Sequence, residues 1–460
     1  MIKTKSACCR DQAGSSILVP ARRVPVIGHY DVVVLGGGPA GVAAAVAAAR
    51  QRVKVLLVEQ TGCLGGMGTA GLVPVLGPFS RVKEPLIRGI GLEILTRLRA
   101  LGAVGKDHSG FGWIPIHAEG LKRVCDEMVA GERIEVLYLT FFSDVIRRGA
   151  RIQAAILQNK AGRQAVTADV FIDATGDADV AARAGAKFDK GDAGGRMQGA
   201  SLCIIVGNID VRRYWKFVNS LGDARQVAQW CRRKEAQKLL PRLPQAEYRG
   251  IHGQQIGPGL VGFNFGHLYG IDGTLPRDIS RAMTVGRRMA NAFVDFARKH
   301  MPGMRRAHLV ATASLPGIRE TRRIRGRFQL TLEHCMAGAH FPDDITWYDY
   351  PVDVHNASRN AGAFGKFVRD FETMTLPKGR SYGIPYRCLL PVGVDNLLVA
   401  GRALSADRFA QGSARTMPAC FAMGQACGAA AALAARKRIS PVKLDVQVLR
   451  RALRRAGALL

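Results

Sequence analysis

Apolar and polar positions near the start of the chain follow a pattern that predicts a strand, a helix and a second strand. Residues 31–35 form a β-branched apolar run, which is typical of a buried parallel strand. Residues 42–50 are rich in alanine and valine and predict a helix, and residues 53–58 predict the next strand. This order is that of a β-α-β unit.

Both periodicities recur along the rest of the chain. An apolar stripe at helical spacing predicts helices, and short apolar runs between turns predict strands. The predicted helices cover residues 117–130, 281–300 and 417–435, and the predicted strands cover 170–173 and 396–399, with an antiparallel meander over 135–170. Strict alternation predicts further strands over residues 261–265, 318–330 and 351–355.

A glycine-rich turn joins the first strand to the first helix. Gly36 makes the tight turn, Gly38 lets the backbone approach a pyrophosphate, and Gly41 lets the helix pack closely on the strand. Glu59 lies 18 residues after Gly41, at the end of the second strand, where it can accept hydrogen bonds from both ribose hydroxyls. The G-x-G-x-x-G turn in this setting predicts a dinucleotide site, with the phosphates at the helix N-terminus.

A second glycine-rich loop, over residues 61–69, distinguishes between dinucleotides. A nicotinamide cofactor needs no such loop directly after the acidic residue, whereas an extended cofactor passes close to the backbone there. Residues 174–177 and 401–402 each follow an apolar strand and are expected to abut the same cofactor. The pattern favours FAD, and no second G-x-G-x-x-G stands between a predicted strand and a predicted helix, which argues against a separate NAD(P)H domain.

These segments together resemble the FAD-dependent oxidoreductase family with a glutathione-reductase-type FAD-binding domain, in the subgroup distantly related to fumarate-reductase-type flavoproteins. The resemblance rests on D-V-V-V-L-G-G-G-P-A-G, E-Q-T-G-C-L-G-G-M-G-T, D-A-T-G-D and N-L-L-V-A-G-R-A-L-S, and it covers about residues 28–436. It implies non-covalent FAD, because Met67 stands where some relatives carry a flavin-linking histidine.

The expected FAD contacts lie in the four loops and at the start of the last long helix. They are Gly36, Gly38, Pro39, Ala40, Gly41, Glu59, Gln60, Gly65, Gly66, Met67, Thr69, Ala174, Thr175, Gly176, Asp177, Gly401, Arg402, Gly412, Ser413, Arg415 and Thr416. The N-terminus of that helix is expected to face the flavin pyrimidine, where negative charge develops on reduction. Arg415, in its predicted first turn, is expected to contact the flavin or an anionic substrate.

The expected fold class is α/β, with a Rossmann-like FAD-binding domain of the glutathione-reductase type and an inserted α+β cap or substrate domain. The predicted boundaries are a basic N-terminal tail at 1–27, the FAD-binding domain at 28–185 and 385–436, the cap at 186–384, and a basic C-terminal helix at 437–460. In this architecture the substrate binds between the cap and the flavin.

The alternation over residues 351–355 places Asp353 and His355 on one face of a strand. An aspartate beside a histidine orients the imidazole and raises its basicity, so His355 is the candidate base for a substrate proton. A structural histidine bonded at a strand end gives the same pattern, and the sequence leaves both interpretations open.

Three more catalytic candidates lie in the predicted cap or where the chain returns from it to the FAD-binding domain. In the alternation over 318–330, Glu320 and Arg322 share the apolar face and Arg319 lies opposite. The arginines are therefore either structural partners of a buried carboxylate or anchors for an anion. Tyr386, at the predicted return to the FAD-binding domain, is either a donor to a substrate oxygen or a packed aromatic residue.

Composition narrows the class of protein. The 460 residues include 66 Lys and Arg against 36 Asp and Glu, a net charge of +30, and 48% are apolar, which excludes a disordered chain. The ten cysteines contain no C-x-x-C pair, so no metal site is predicted, and free thiols favour a cytoplasmic location. No uninterrupted apolar run approaches the ~20 residues of a membrane-spanning helix.

The sequence therefore predicts an FAD-dependent oxidoreductase that transfers a hydride between a small anionic or polar organic substrate and flavin N5. Oxygen or an electron-transfer partner is the expected acceptor, and a homo-oligomer is compatible with the sequence. An RNA-modifying flavoprotein is the alternative that the charge suggests, although the basic residues are spread out without interleaved aromatic residues. A flavin protein without a net redox role is a further alternative.

Overall fold

The strands of the chain form a large sheet with helices packed on it, a smaller antiparallel sheet and several short pairs. The computed structural model describes residues 21, 23–82, 84–108, 111–359 and 369–460, without the side chains of residues 224 and 225. Its strands are β1 (Val26–Leu35), β2 (Val55–Val58), β3 (Val75–Leu76), β4 (Ile114–Pro115), β5 (Glu135–Leu137), β6 (Phe141–Arg148), β7 (Arg151–Asn159), β8 (Gly162–Asp173), β9 (Phe188–Lys190), β10 (Ile204–Gly207), β11 (Ala246–Glu247), β12 (Gln254–Gly257), β13 (Leu260–Phe263), β14 (His267–Leu268), β15 (His308–Thr312), β16 (Arg322–Ile324), β17 (Asp344–Tyr348), β18 (Tyr382–Pro385) and β19 (Leu397–Val399). Its α-helices are α1 (Pro39–Ala49), α2 (Ile90–Ala100), α3 (Ala118–Gly131), α4 (Asp179–Arg183), α5 (Val211–Ser220), α6 (Ala224–Ala236), α7 (Pro276–His300), α8 (Leu332–Ala337), α9 (Arg408–Ala414), α10 (Met417–Lys437) and α11 (Val446–Arg455).

The large sheet has the strand order β5-β2-β1-β8-β7-β6, and β19 also pairs with β8. β5, β2, β1, β8 and β19 run parallel, whereas β6 and β7 form an antiparallel extension. This confirms the predicted α/β fold class and the β-α-β unit. β1 begins at Val26, inside the predicted basic tail, and most of that tail lies outside the described residues.

Strand β8 has two different neighbours along one edge. Its first half pairs with β7 and its last three residues pair with β19. Asn396 fills the junction, because its amide accepts a hydrogen bond from the Ile152 N–H (2.9 Å) and donates one to the Ile152 carbonyl (3.0 Å). The carboxyl ends of β1, β2, β8 and β19 therefore meet at one edge of the sheet.

Helices α1 and α10 lie against each other with their backbones in close contact. A Cβ at Gly424 would come within 2.1 Å of the Ala40 carbonyl oxygen, and one at Gly428 within 2.1 Å of the Ala44 carbonyl oxygen. Glycines four residues apart on α10 therefore let the two helices approach. This contact fixes the amino end of α1 relative to α10.

Helix α10 is also the one helix of the described residues that is long and apolar enough to cross a membrane. The sequence criterion of an uninterrupted apolar run overlooked it, because Gly424, Gln425 and Gly428 interrupt the run. In the structure 89% of the apolar stretch of this helix is buried inside the fold, as expected of a core helix.

The smaller sheet, in the order β12-β13-β10-β15, is antiparallel and lies in the predicted cap. Helix α7 packs on it through Phe293, whose ring centroid lies 5.7 Å from that of Phe263 and 4.6 Å from that of Phe265. The boundaries of the cap, 186–384, stay a prediction.

Two predicted strands are shorter or absent. Of residues 318–330 only β16 has strand geometry, and it pairs with β9. Residues 351–355 belong to no strand and join no sheet; the Val352 N–H, for example, donates to the carbonyl of Met374 in an irregular segment (3.0 Å).

Candidate functional site

The two glycine-rich loops, at 36–41 after β1 and 61–69 after β2, are in direct contact. The Gly65 N–H donates a hydrogen bond to the Gly37 carbonyl (2.8 Å). A side chain at Gly66 would come within 2.8 Å of the Gly38 Cα, so the contact requires glycine. Gly38 itself faces open space, since no atom of the described residues lies within 4 Å of the place where its Cβ would be.

The amino end of α1 and the Glu59 carboxylate border this space. No side chain of the described residues caps α1, so its free N–H groups and positive dipole end are available to a pyrophosphate. Glu59 is buried, and its carboxylate accepts hydrogen bonds from the N–H groups of Gly37 (2.6 Å) and Thr61 (2.7 Å). Each carboxylate oxygen keeps an acceptor position for a ribose hydroxyl.

The loops after β8 and β19 close the cradle from the other side. Arg402 donates to the Asp177 carboxylate (2.8 Å), and the Thr321 hydroxyl donates to the same oxygen (2.6 Å). A Cβ at Gly401 would lie 3.3 Å from the Ala40 Cβ, so this loop touches the start of α1. The buried Arg402 Nε has no partner among the described residues and is free to donate to a bound group.

These loops fit an FAD. They offer an uncapped helix N-terminus for the pyrophosphate, an acid for the ribose and an unpaired buried donor, all at the carboxyl ends of parallel strands. Besides the residues already described, the predicted FAD contacts in these loops are Gly36, Pro39, Ala40, Gly41, Met67, Ala174 and Gly176.

Some of the other predicted FAD contacts use their side chains to shape the loops. The Thr69 hydroxyl donates to the Leu64 carbonyl (2.6 Å), and the Thr175 hydroxyl donates to the Asp173 carboxylate (2.7 Å). Gln60 is exposed. Thr69 and Thr175 belong to the loops of the cradle, but their hydroxyl protons are already used in these hydrogen bonds within the protein.

The last long helix, α10, begins at Met417 as predicted, but residues 412–415 belong to the end of the preceding helix and not to the start of α10. Gly412 and Ser413 are buried inside α9, and Arg415 follows that helix as its C-cap. Thr416 is the N-cap of α10, with extended backbone and no side-chain cap. The short helix α9 was not predicted, so Arg415 was placed in the first turn of α10 instead of before it.

A chain of hydrogen bonds joins one carboxylate to two histidines. Asp353 Oδ1 lies 3.0 Å from His355 Nε2, and His355 Nδ1 lies 2.7 Å from His267 Nε2. His267 is buried, and the side chains of Asp353 and His355 are only 16% and 14% exposed. Gln198 fixes the segment, because its Oε1 accepts a hydrogen bond from the His355 backbone N–H (2.9 Å).

The charge of Asp353 determines which ring nitrogens carry protons. Although burial opposes ionisation, His355 and Arg415 hold the pKa of the Asp353 carboxyl well below its usual range, so the carboxylate only accepts hydrogen bonds. His355 Nε2 therefore donates to Asp353, and His355 Nδ1 accepts from His267 Nε2, an assignment made from the network. Burial and the Arg319 charge lower the pKa of His355 to about 4, so its ring is neutral at pH 7.

Two arginines bring positive charge to this chain. Arg415 donates to the carbonyl (2.8 Å) and the carboxylate (3.1 Å) of Asp353. Arg319 is buried and donates to the Gly199 carbonyl, but no carboxylate of the described residues forms an ion pair with it. Burial and the Arg415 charge lower the pKa of Arg319 to about 10.

Gln411 connects this cluster to the FAD loops. It is buried, and its amide donates to the carbonyls of Arg319 (3.1 Å) and Arg402 (3.2 Å). Since Arg402 belongs to the loop after β19, the histidine–aspartate cluster lies directly beside the FAD cradle.

Glu320 and Arg322 do not pair with each other, which was one of the two alternatives that the sequence left open. Glu320 is bound by Arg323 (3.2 Å) and Arg408 (2.8 Å), whereas Arg322 pairs with Asp179 (2.8 Å) beside the third FAD loop. The alternation that suggested the pair fails because only β16 within that segment is a strand.

Tyr386 is not part of the cluster either. Its side chain is buried in the core, and its hydroxyl donates to the Pro441 carbonyl (3.1 Å). Of the two interpretations left open by the sequence, the packed aromatic residue fits this contact.

His267 and Gln198 escaped the sequence analysis. The alternation over residues 261–265 continues to His267 and would have placed it on the same buried face as Phe263 and Phe265. A polar residue in phase with a buried apolar face was the available signal. Gln198 lies in an irregular segment and carried none.

Two curated enzymes are similar to short stretches of the chain. One is a dihydrolipoyl dehydrogenase of Trypanosoma brucei brucei, 51% identical over 45 residues, and the other is a soluble pyridine nucleotide transhydrogenase of Marinomonas sp. (strain MWYL1), 42% identical over 71 residues. The stretches cover 10% and 14% of this chain and only 9% and 15% of those relatives. Their activities therefore do not carry over.

Solved structures similar to the chain over most of its length are remote in sequence. A p-nitrophenol 4-monooxygenase from Pseudomonas putida DLL-E4 is 11% identical, with 92% of this chain and 84% of that chain covered and a TM-score of 0.45. A geranylgeranyl bacteriochlorophyll reductase-like protein from Thermoplasma acidophilum is 12% identical, with 94% and 92% covered and a TM-score of 0.42. Similarity this low supports no statement about a substrate.

A family described as FAD dependent oxidoreductase matches residues 31–453. The match runs from β1 into α11, so it includes all four loops and the histidine–aspartate cluster. It confirms FAD as the cofactor and an oxidoreductase as the class of enzyme. The chain belongs to the FAD-dependent oxidoreductase family.

Proposed function

We propose that this enzyme transfers a hydride between a small organic carboxylate and N5 of FAD. The observation that carries the proposal is Arg319, a buried guanidinium without a carboxylate partner among the described residues. A guanidinium binds a carboxylate through a planar fork, and a buried cation is stabilised by an anionic ligand. The position beside the FAD cradle suits a substrate that must reach the flavin.

The side chains around Arg319 have separate tasks in this proposal. Bound FAD supplies the two-electron chemistry, and the protein supplies binding, orientation and proton transfer. Arg319 binds the substrate carboxylate, while Arg415 keeps Asp353 ionised. A neutral histidine of this cluster takes the proton that leaves a substrate oxygen or nitrogen during oxidation.

Oxygen or an electron-transfer partner is the proposed acceptor of the electrons. Only one G-x-G-x-x-G turn of the described residues, at 36–41, joins a strand to an α-helix, so nothing points to a separate site for a nicotinamide cofactor. The subgroup suggested by the sequence resemblance, distantly related to fumarate-reductase-type flavoproteins, stays part of this proposal.

Anaerobic titration of the holoenzyme with a panel of small carboxylic acids tests the substrate class. We expect at least one acid to bleach the visible absorption of bound FAD, and its neutral ester or amide analogue to fail. Replacing Arg319→Gln should raise the acid concentration for half-maximal bleaching roughly 100-fold, since losing one partner of a buried charge pair costs about 2–5 kcal/mol.

Arg325→Gln is the matched control, because Arg325 lies six residues along the same segment but is exposed and paired with Asp189. It should titrate like the unmodified enzyme. Bleaching by acid and neutral analogue alike, or an unchanged titration of a folded, FAD-loaded Arg319→Gln enzyme, would contradict a carboxylate substrate.

A further inference from the structure

Both ring nitrogens of His355 are occupied inside the protein. Nε2 is bonded to Asp353 (3.0 Å) and Nδ1 to His267 (2.7 Å). His355, the base expected from the sequence, therefore has no lone pair left for a substrate. A substrate proton must go to another atom of the chain.

The open end of the hydrogen-bond chain is His267 Nδ1. Its Nε2 carries the proton that His355 accepts, so Nδ1 of the neutral ring carries a lone pair. This nitrogen is buried and has no hydrogen-bond partner among the described residues, and His267 as a whole is 6% exposed. A buried acceptor without a donor is costly, which points to a ligand that supplies one.

We propose that His267 Nδ1 exchanges a proton with the substrate, and that His355 and Asp353 orient it for that task. This inference rests on the proposed function. In the oxidative direction a substrate O–H or N–H bond breaks, an N–H bond forms at Nδ1, and the bonding electron pair stays on the substrate heteroatom. The Nε2 proton of His267 then shifts toward His355, whose own proton faces the Asp353 carboxylate, so the new positive charge is stabilised.

The charges around His267 link its basicity to substrate binding. Burial, then the charges of Arg319, His355 and Arg249, hold the pKa of His267 well below its usual range. The nearby acid Glu247 is the partner of Arg249 (2.8 Å), and it is also bound by Arg232 and by the Tyr269 hydroxyl. A substrate carboxylate on Arg319 would cancel the largest of the opposing charges, so the lone pair becomes more basic when the substrate is bound.

The decisive variant is His267→Gln in the FAD-loaded enzyme. A glutamine amide keeps a donor for His355 Nδ1 at the position of Nε2 but offers no basic nitrogen. We expect the rate of anaerobic FAD reduction by the bleaching acid to fall about 10²–10⁴-fold, the range for general base catalysis. The rate should also lose its pH dependence, while the concentration of acid for half-maximal rate changes little.

The matched control is His308→Gln, an exposed histidine on strand β15 in the same cap, which should reduce FAD at the unmodified rate. The second readout needs no substrate: ¹⁵N NMR of histidine-labelled holoenzyme should show an unprotonated Nδ1 and a protonated Nε2 on His267.

The outcomes separate the two proposals. If no acid bleaches the unmodified enzyme, the proposed function fails, and the NMR result still decides the tautomer. A protonated His267 Nδ1, or a His267→Gln enzyme that reduces FAD at the unmodified rate, would overturn the role of His267 and leave the carboxylate oxidoreductase standing.

Discussion

One carboxylate controls the protonation of two histidines at the candidate site. Arg415 requires an acceptor at one Asp353 oxygen (3.1 Å), and His355 Nε2 faces the other (3.0 Å). In an Asp353→Asn enzyme the amide oxygen stays with Arg415 and the NH₂ group turns to His355. His355 Nε2 then accepts, its Nδ1 donates, and the proton of His267 moves to Nδ1.

Asp353→Asn should therefore remove the lone pair of His267 Nδ1 while the side chains of the site stay in place. We expect FAD reduction by the acid substrate to slow roughly 10³–10⁴-fold, by analogy with tautomer reversal in a catalytic triad. Stopped-flow absorbance measures the rate, and FAD content reports folding. Asp189→Asn, at a pair with Arg325 (2.6 Å) outside the cluster, is the control. A rate within a factor of about three of the control would refute the tautomer assignment, since that assignment requires a loss in the range of general base catalysis.

The buried histidines also make the stability of the fold depend on pH. Burial lowers the pKa of His355 to about 4, whereas the unfolded chain has the ordinary value near 6.5. Between these values the unfolded state binds more protons, so stability is full above about pH 6.5 and is lost as the pH falls toward 4. The loss by pH 4 is about 3 kcal/mol from this residue, at 1.36 kcal/mol per pKa unit.

Urea unfolding of the holoenzyme between pH 4 and 7 measures this dependence. Other groups titrate in the same window, so the informative quantity is the difference between the unmodified enzyme and His355→Gln, which has no such proton to take up. The variant should lose less stability on acidification. Parallel curves for the two proteins would show that folding does not lower the pKa of His355.

At the residue scale the sequence was informative where local pattern sets geometry. Alternation put Asp353 and His355 on one side, and the structure brings them to 3.0 Å although the segment joins no sheet. Arg319 was predicted as a candidate, but not its position beside this pair or its distinguishing property, the missing carboxylate partner. That property depends on where Arg415 and Gly199 lie in space, far from Arg319 in sequence.

Among the elements, the contact between α1 and α10 holds the FAD cradle in place. A Cβ at Gly424 would meet the backbone oxygen of Ala40 at 2.1 Å, and a backbone oxygen cannot rotate away. Gly424→Ala should therefore push α1 aside and destabilise the fold by roughly 1–3 kcal/mol, the usual cost of overpacking. Because Ala40 belongs to the phosphate-binding turn, FAD affinity should fall as well.

Thermal unfolding and FAD release on dilution measure the two effects. Gly131→Ala at the end of α3 is the matched control, because no atom of the described residues lies within 4 Å of the added Cβ. That change should be neutral or stabilise by up to ~1 kcal/mol. A Gly424→Ala enzyme that keeps its stability and its FAD would rule out the close helix contact as the support of the cradle.

The order of elements was largely predictable, and the pairings between distant segments were not. The β-α-β unit and α7 follow from period and turn signals within the segment. The pairing of β19 with β8 joins Leu397 to Phe171, and neither strand contains a signal for it. The short helix α9 was missed, although the start of α10 at Met417 was predicted.

For the whole molecule, the net charge of +30 comes partly from buried arginines and partly from exposed basic residues. Buried carboxylates near the site are bound by more than one cation: Glu320 by Arg323 and Arg408, and Glu247 by Arg232 and Arg249. These arginines satisfy buried acids and leave an excess of positive charge inside. The remaining excess creates a field around the protein that attracts anions.

That field predicts a salt dependence that separates steering from binding. The second-order rate constant for FAD reduction by the acid substrate should fall as ionic strength rises from about 10 to 150 mM, over which the screening length shrinks from roughly 30 to 8 Å. The maximal rate should stay constant, because the buried cluster is screened little. Arg319→Gln should keep the same salt slope at a lower affinity, since one buried charge contributes little to the distant field.

The RNA-modifying alternative predicts a different result in the same salt series: retention of RNA in a gel shift at about 150 mM salt, where phosphate contacts still hold a specific complex. If the positive field attracts only small anionic substrates, RNA should dissociate at about 150 mM salt while the acid still reduces FAD. Persistent RNA binding would instead assign the charge to a nucleic acid, and Arg319 would then hold a single phosphate or carboxylate within a much larger ligand.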